Sequence, residues 1–210
     1  YIDQTLTFES DKVYYVEQDT EFQVMMAWED SIMKASADYI CEGGGDILEI
    51  GFGMGYSATA INKYPIRSYT VIEKDKDVIK KFNKWKLKQK TKKINLIEGL
   101  WQIKIPLINK KFDCIFFDDS PAPEINVRSP RHTLFVKLIL LKIVKHNTRL
   151  VSYSTSATPC NISWSSSDTY NKHINNSVIC TSNKFKIKIP YFCRYAKGNY
   201  MYVNKIVFKK

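Results

Sequence analysis

The sequence predicts an α/β fold: a doubly wound, mostly parallel seven-stranded sheet that ends in a C-terminal antiparallel hairpin. Three observations predict it. Strand-like and helix-like segments alternate through the middle of the chain, a glycine-rich turn joins the first of those strands to a helix, and the last two apolar runs alternate residue by residue.

Taken in order, residues 21–39 read as a helix, with Met25, Glu29 and Met33 on one stripe. Asp46–Ile50 is a short apolar strand, followed by the glycine turn and a helix over 56–63. Ser68–Glu73 is the second strand, and the spacing of Val78, Phe82 and Trp85 predicts an amphipathic helix after it. Strands over 94–98 and 112–118 follow, then a helix over 130–146 that is apolar nearly all round and therefore buried. A fifth strand covers 149–153, and 154–171, rich in Ser and Thr, reads as a long loop at the active face. The hairpin pairs 185–190 with Tyr200–Phe208, with Lys197, Gly198 and Asn199 as turn chemistry.

At 210 residues the chain is sized for one domain, read as an N-terminal lid and helix segment over 1–42 and a core over 43–210. It begins at Tyr1 with no signal-like apolar segment, which reads as a trimmed or processed start. The longest apolar run, 134–144, is broken by Lys137 and Lys142 and falls short of the ~18–20 residues a membrane span needs. Cys41, Cys114, Cys160, Cys180 and Cys193 are scattered with no CxxC pair. That argues against a zinc or other metal site and suits a reducing, cytoplasmic compartment.

The net charge of +11 is concentrated, with ten lysines and no arginine in residues 74–93. A solvated helix face explains this, and attraction to nucleic acid is the alternative. Methyltransferases acting on base nitrogens carry Asn/Asp-Pro-Pro-Tyr/Phe at the tip of the fourth strand, where a flipped base stacks. This chain has Asp118-Asp119-Ser120-Pro121 there, which does not match. His132, at the entry to the 130–146 helix, reads as a cap or surface group.

The sharpest motif is Glu49-Ile50-Gly51-Phe52-Gly53-Met54-Gly55, directly after a strand and opening a helix. Glycines at such a turn let backbone N–H groups approach a ligand closely. The acid before the glycines, the E-x-G-x-G-x-G spacing and Glu73 at the end of the next strand favour S-adenosyl-L-methionine over a nicotinamide cofactor. Glu73, followed by Lys74, is placed to accept both ribose hydroxyls. Gly99, Leu100 and Trp101 sit where adenine would lie, with Leu100 or Trp101 as an apolar wall; for Trp101, core is the competing reading.

Asp118, after the apolar CIFF run, stands at the tip of the fourth strand facing the methyl donor, or is a strand-end cap. Adjacent Asp119 points roughly the other way. Glu29 interrupts an apolar stripe, at the border of a wet face or recruited into a pocket. With the Val24-Met-Met-Ala-Trp28-Glu29, Gly99-Leu-Trp101 and Cys193-Arg194-Tyr195 segments and the glycine loop, the chain resembles guanidinoacetate N-methyltransferases, and more distantly type IV protein arginine methyltransferases.

The resemblance implies a Rossmann-like methyltransferase that takes S-adenosyl-L-methionine to S-adenosyl-L-homocysteine. Its acceptor would be a small guanidino compound or an arginine-containing protein. Glu29 and Asp118 would grip the guanidino group and Glu73 would hold the ribose. Trp28, Met25, Ser154, Thr155 and Tyr195 are candidate substrate contacts, Tyr195 either closing the pocket or packing on an edge strand. The chain departs from the family in lacking Asp-Thr-Tyr-Pro at Asp118, in having Gln102 where an acid is expected, and in its Ser-rich 154–171. A fold retained as a non-catalytic binding subunit is the remaining reading.

Overall fold

A computed structural model describes residues 5–89, 93–118, 143–155, 157 and 177–209. Its first elements form a three-stranded antiparallel sheet of β1 (Thr7–Phe8), β2 (Lys12–Glu17) and β3 (Thr20–Met26). Gln18 and Asp19 join β2 to β3 at φ 45° and 57°, the backbone that a tight hairpin turn requires.

This sheet corrects the helix expected over 21–39. Thr20, Phe22 and Val24 carry strand propensity, and β2 offers them a partner, so pairing overrides the four-residue spacing of Met25, Glu29 and Met33. A single 3-10 turn, Ala27–Glu29, leads into helix α1 (Asp30–Cys41), which buries Ile32, Met33, Ser36, Ala37, Ile40 and Cys41.

The main sheet is built from β4 (Asp46–Ile50), β5 (Ser68–Glu73), β6 (Lys93–Glu98), β7 (Cys114–Phe117), β8 (Arg149–Ser154), β9 (Val178–Lys186) and β10 (Tyr200–Phe208). Their order is β6-β5-β4-β7-β8-β10-β9. The first five are parallel, and β10 and β9 add antiparallel to the β8 edge. Helices α2 (Tyr56–Ile61), α3 (Lys76–Lys86) and α4 (Trp101–Lys104) fill the crossovers. β4 and β5 are buried at every position, as strands covered on both faces must be. α1 packs on α2, β7, β8 and β10. At the start of α3, Asp75 caps the N–H groups of Asp77 and Val78.

The hairpin differs from its expected form. β9 begins at Val178, and 187–199 is a loop rather than strand. β9 is an edge strand, and its polar Thr-Ser-Asn-Lys run conceals the pairing from hydropathy. Of the helix expected over 130–146, residues 130–142 lie outside the described residues. Ile143 to Lys145 are irregular and His146 lies in a turn. There Thr148 Oγ accepts the Lys145 N–H at 2.9 Å and donates to the Phe112 carbonyl at 2.8 Å, which steers the chain into β8. His132 and Asp119 also lie outside the described residues, as does 154–171 apart from Ser154, Thr155 and residue 157. No helix among the described residues is long and apolar enough to cross a membrane.

Acids at the amino edge of the sheet are neutralised by cations. Arg67 reaches Asp46 at 2.7 Å and Asp113 at 2.8 Å, while Lys110 and Lys145 add pairs at 3.0 and 2.5 Å. The Arg67 guanidinium, foremost, holds Asp46 well below the usual carboxylate range.

Glu49 in β4 is different. It is fully buried, and its two oxygens accept the hydroxyls of Ser57 and Tyr69. Burial pushes its carboxyl from an ordinary 4.5 up to about 7, with the two hydroxyls opposing. A carboxyl whose folded value is raised stabilises fully below its unfolded value and loses that contribution as pH rises through the folded one. Between pH 4.5 and 8, Glu49→Gln should therefore gain about 3 kcal/mol of stability relative to the wild type. Urea unfolding at the two pH values measures this, and parallel curves would refute it.

Candidate active site

The sheet reverses its strand order between β4 and β7, and the carboxyl ends of β4 to β7 meet there, the usual ligand crevice of such a fold. The loop after β4 holds Gly51, Gly53 and Gly55 at φ 88°, 53° and 75°, where L side chains are strained. Gly53 is also sterically confined: a Cβ there would sit 2.6 Å from the Met25 sulfur. That sulfur accepts the Met54 N–H at 2.9 Å, so β3 is fastened onto the loop. The Phe52 ring turns away from the crevice into a cluster with Phe82 and Trp85.

The Phe52 amide points the other way and donates to Glu73 Oε2 at 2.9 Å. Glu73 Oε1 accepts the N–H groups of Lys74 and Asp75 at 2.7 and 2.9 Å. These three amides fix the carboxylate at the tip of β5 and leave one of its roughly four lone-pair sites for a ligand hydroxyl. The Lys74 side chain is exposed. At the tip of β6, the Gly99 N–H donates to the Glu73 carbonyl at 2.7 Å. Leu100 is half-buried at the start of α4, whereas Trp101 is 4% exposed and packs edge-on against Phe117 at 5.7 Å. Of the two residues offered as an apolar wall, Trp101 is core. Glu49, offered as a cofactor contact, lies beneath the loop with both oxygens engaged. A glycine-rich loop beside an oriented carboxylate with one open site fits a single hydroxyl of a nucleoside's ribose, rather than the two expected of Glu73 from the sequence.

Glu29 and Asp118 converge beside this loop. Asp118 extends the β4–β7 ladder, its N–H donating to the Ile50 carbonyl at 3.0 Å. Glu29 is 2% exposed and closes the 3-10 turn by accepting the Met26 N–H through Oε2 at 2.9 Å. Between them stands Tyr153 near the end of β8. Its hydroxyl lies 2.8 Å from Asp118 Oδ1 and 3.0 Å from Glu29 Oε1. The Tyr195 phenol also lies beside Glu29. Burial raises the Glu29 carboxyl above its ordinary value, partly opposed by the Met26 amide and the two phenols. No cation pairs with Glu29 among the described residues.

Sequence reasoning named Tyr153 only as part of a strand. β7 and β8 align Phe116 with Val151, so two residues further on Tyr153 comes level with Asp118, which only the register reveals. The placement of Tyr195 depends on β3. Arg194 donates through its N–H to Gln23 Oε1 and through its guanidinium to the Glu21 carbonyl, both at 2.9 Å. Tyr195 thereby stacks on Trp28 at 6.2 Å, and the buried Trp28 Nε1 finds no acceptor among the described residues. Met25 lies against the glycine loop. Ser154 Oγ accepts from Asn204 at 3.0 Å, and Thr155 is exposed.

Comparison with known proteins agrees with this architecture. The O-methyltransferase TomG from Streptomyces achromogenes, solved in complex with SAM, superposes with a TM-score of 0.56 at 14% identity, covering 89% of this chain and 82% of that one. TYW2 of M. jannaschii, solved with AdoMet, gives a TM-score of 0.56 at 14% identity over 98% of this chain and 89% of that one. Similarity at this level is one of fold.

In sequence, the chain is 31% identical over 126 residues to Protein arginine N-methyltransferase 2 of Candida glabrata, and 30% identical over 122 residues to its Aspergillus fumigatus counterpart. Each match takes in 56% of this chain but only 30% and 28% of the relatives, so the chain spans less than a third of their length. A family model matches residues 5–209, nearly the whole chain, and by that match the protein belongs to the guanidinoacetate N-methyltransferase family of S-adenosylmethionine-dependent methyltransferases.

Proposed function

We propose that this chain methylates a guanidino nitrogen of a small molecule, with S-adenosylmethionine as donor and S-adenosylhomocysteine as product. The observation that carries the reading is the approach of Glu29 and Asp118, remote in sequence, to one hydroxyl beside the glycine loop. Glu73, Gly51, Gly53 and Gly99 would hold the cofactor, which supplies a methyl group on a sulfonium centre when bound.

The chemistry needs two acids. A guanidinium has a pKa above ~12, so reaching its neutral form at pH 7 costs on the order of 7 kcal/mol. It must also approach a cation, and two like charges ~4 Å apart repel by roughly 4 kcal/mol at an effective dielectric of ~20. Carboxylates on either side offset that repulsion and orient the planar fork by paired hydrogen bonds. Asp118 serves as the proton acceptor and Glu29 as the clamp.

Two features favour a small acceptor over an arginine-rich protein. The chain's charge of +11 repels polycations, and the Trp28 Nε1–H, without an acceptor among the described residues and stacked with Tyr195 next to Glu29, offers a donor to an anionic group on a compact zwitterion. The partial similarity to arginine methyltransferases supports peptidyl arginine as the second reading.

Incubation with labelled donor and guanidinoacetate, free arginine or an arginine-rich peptide separates these readings. Label should enter a small acceptor, and label in none of the three refutes the substrate assignment. Asp118→Asn should abolish turnover while S-adenosylhomocysteine affinity, measured by calorimetry, stays within a few-fold; joint loss of both would make Asp118 structural. Glu73→Ala should show the opposite order, weakening the cofactor by about tenfold or more, the worth of one charge-assisted hydrogen bond. Gly53→Ala should destabilise by about 2 kcal/mol through its left-handed backbone and the Met25 contact. Adding Met25→Ala should recover part of that loss in thermal unfolding, and strict additivity of the two changes would show that the contact is not the cause.

A further inference from the structure

Tyr153 has one hydroxyl proton and two carboxyl groups within hydrogen-bond distance. It can donate to only one of them at a time. If both acids were ionised in the ligand-free pocket, one carboxylate oxygen would face the phenol's lone pairs. A single proton on the acid pair removes the conflict: the protonated acid donates to the Tyr153 oxygen, and Tyr153 donates to the ionised acid.

We propose that Tyr153 is a positioning residue that holds Glu29 and Asp118 as a one-proton pair, its hydroxyl turning toward whichever acid is ionised. This rests on the guanidino reading of the site. In the free pocket Glu29, the more enclosed acid, carries the proton, and Tyr153 donates to Asp118 at the shorter distance, 2.8 Å. Arrival of a guanidinium expels the Glu29 proton to solvent, and both carboxylates then face the cation. When the acceptor nitrogen forms its bond to the methyl carbon, the methyl–sulfur bond breaks, its electron pair stays on sulfur, and the nitrogen's surplus proton passes to Asp118. Two cations facing two carboxylates thus become one methylguanidinium, a neutral thioether, a neutral Asp118 and an ionised Glu29, so charge balances. The Tyr153 hydroxyl then turns to Glu29. The pair again carries a single proton, and a site with one negative charge releases the cationic product more readily than one with two.

Among the described residues, the phenols around the pair are Tyr195 before β10, Tyr56 of α2, Tyr69 of β5 and Tyr153 itself; Asp30 and Lys34 lie near Tyr56, Cys193 near Tyr195, and Glu49 and Glu73 near Tyr69. Burial raises each phenol above its ordinary value. All four phenols stay neutral between pH 5 and 9, and because burial pushes Glu49 up to about 7, titrating Glu49→Gln alongside the wild type separates its proton from that of the pair.

The test is calorimetric titration of the intact protein, loaded with S-adenosylhomocysteine, with methylguanidine in buffers of different ionisation enthalpy from pH 5 to 9. Wild type should release close to one proton per ligand at the acid end and progressively fewer as pH rises through the pair's apparent value. Tyr153→Phe removes a hydroxyl that makes two hydrogen bonds to the one-proton pair and only one to the doubly ionised pair, and should move the midpoint of that curve down by about one pH unit. Tyr195→Phe, whose phenol lies beside Glu29 alone, should not lower it.

Weaker binding by Tyr153→Phe with an unchanged release curve, or equal shifts in the two variants, would make the hydroxyl a mere strut and overturn the proposal. So would binding to wild type with no proton released at any pH, a result that needs no variant to fold. Absence of any methylguanidine binding would overturn the guanidino reading itself and the proposal with it.

Discussion

A carboxylate withdrawn from water without a cation is the constraint around which this molecule is arranged. Removing such a group from solvent costs several kcal/mol even after relaxation. At the amino edge of the sheet the cost is met conventionally, with Asp46 and Asp113 each within reach of basic side chains. At the opposite edge Glu29 is more enclosed, and among the described residues it is served by an amide and phenols with no cation. Neutral donors lower the penalty without removing it, so burial favours the protonated acid until a ligand brings positive charge.

Holding Glu29 there takes the cooperation of segments far apart in the chain. β3 must end where the 3-10 turn can fold the carboxyl back onto the Met26 amide, and the Met25 sulfur ties that strand to the glycine loop. Gln23 and Arg194 then join the loop before β10 to β3, which carries Tyr195 to the same acid. The small N-terminal sheet is therefore part of the site rather than an appendage.

The parallel half of the fold was legible because its central strands β4, β5 and β7 are buried at every position and read as short, largely apolar runs. Where one face is exposed the signal weakens. β9 looks polar, and the end of β3, whose Met25 falls on a four-residue stripe with Glu29 and Met33, looks helical, because its pairing partner cannot be seen in a local window. The site divides in the same way. The glycine loop and Glu73 are local and could be read directly, whereas Glu29 and Asp118 could be linked only by family resemblance. Tyr153 depends on the register between β7 and β8, which no short motif encodes. Trp101, which the sequence left open between a cofactor wall and the core, is buried and packs edge-on against Phe117.

The distribution of charge bears on what the site admits. A helix that returns from the carboxyl end of one parallel strand to the amino end of the next carries its later residues away from the ligand crevice. α3 does this between β5 and β6, so Lys84, Lys86 and Lys88 lie toward the amino edge of the sheet, remote from Glu73 and the acid pair. The protein thus combines a basic exterior with an acidic crevice. Over distances longer than the ~8 Å Debye length at physiological salt, an approaching polycation meets a field that is already screened but repulsive, and only the last few ångströms favour it. On the proposed reading, a compact acceptor whose own anion balances its guanidinium would meet no such barrier, and its cation would enter the attractive region with the anion trailing toward Trp28. The same geometry weakens the nucleic-acid alternative: a backbone held on the lysine face of α3 would lie along the far side of that helix from the methyl-transfer site.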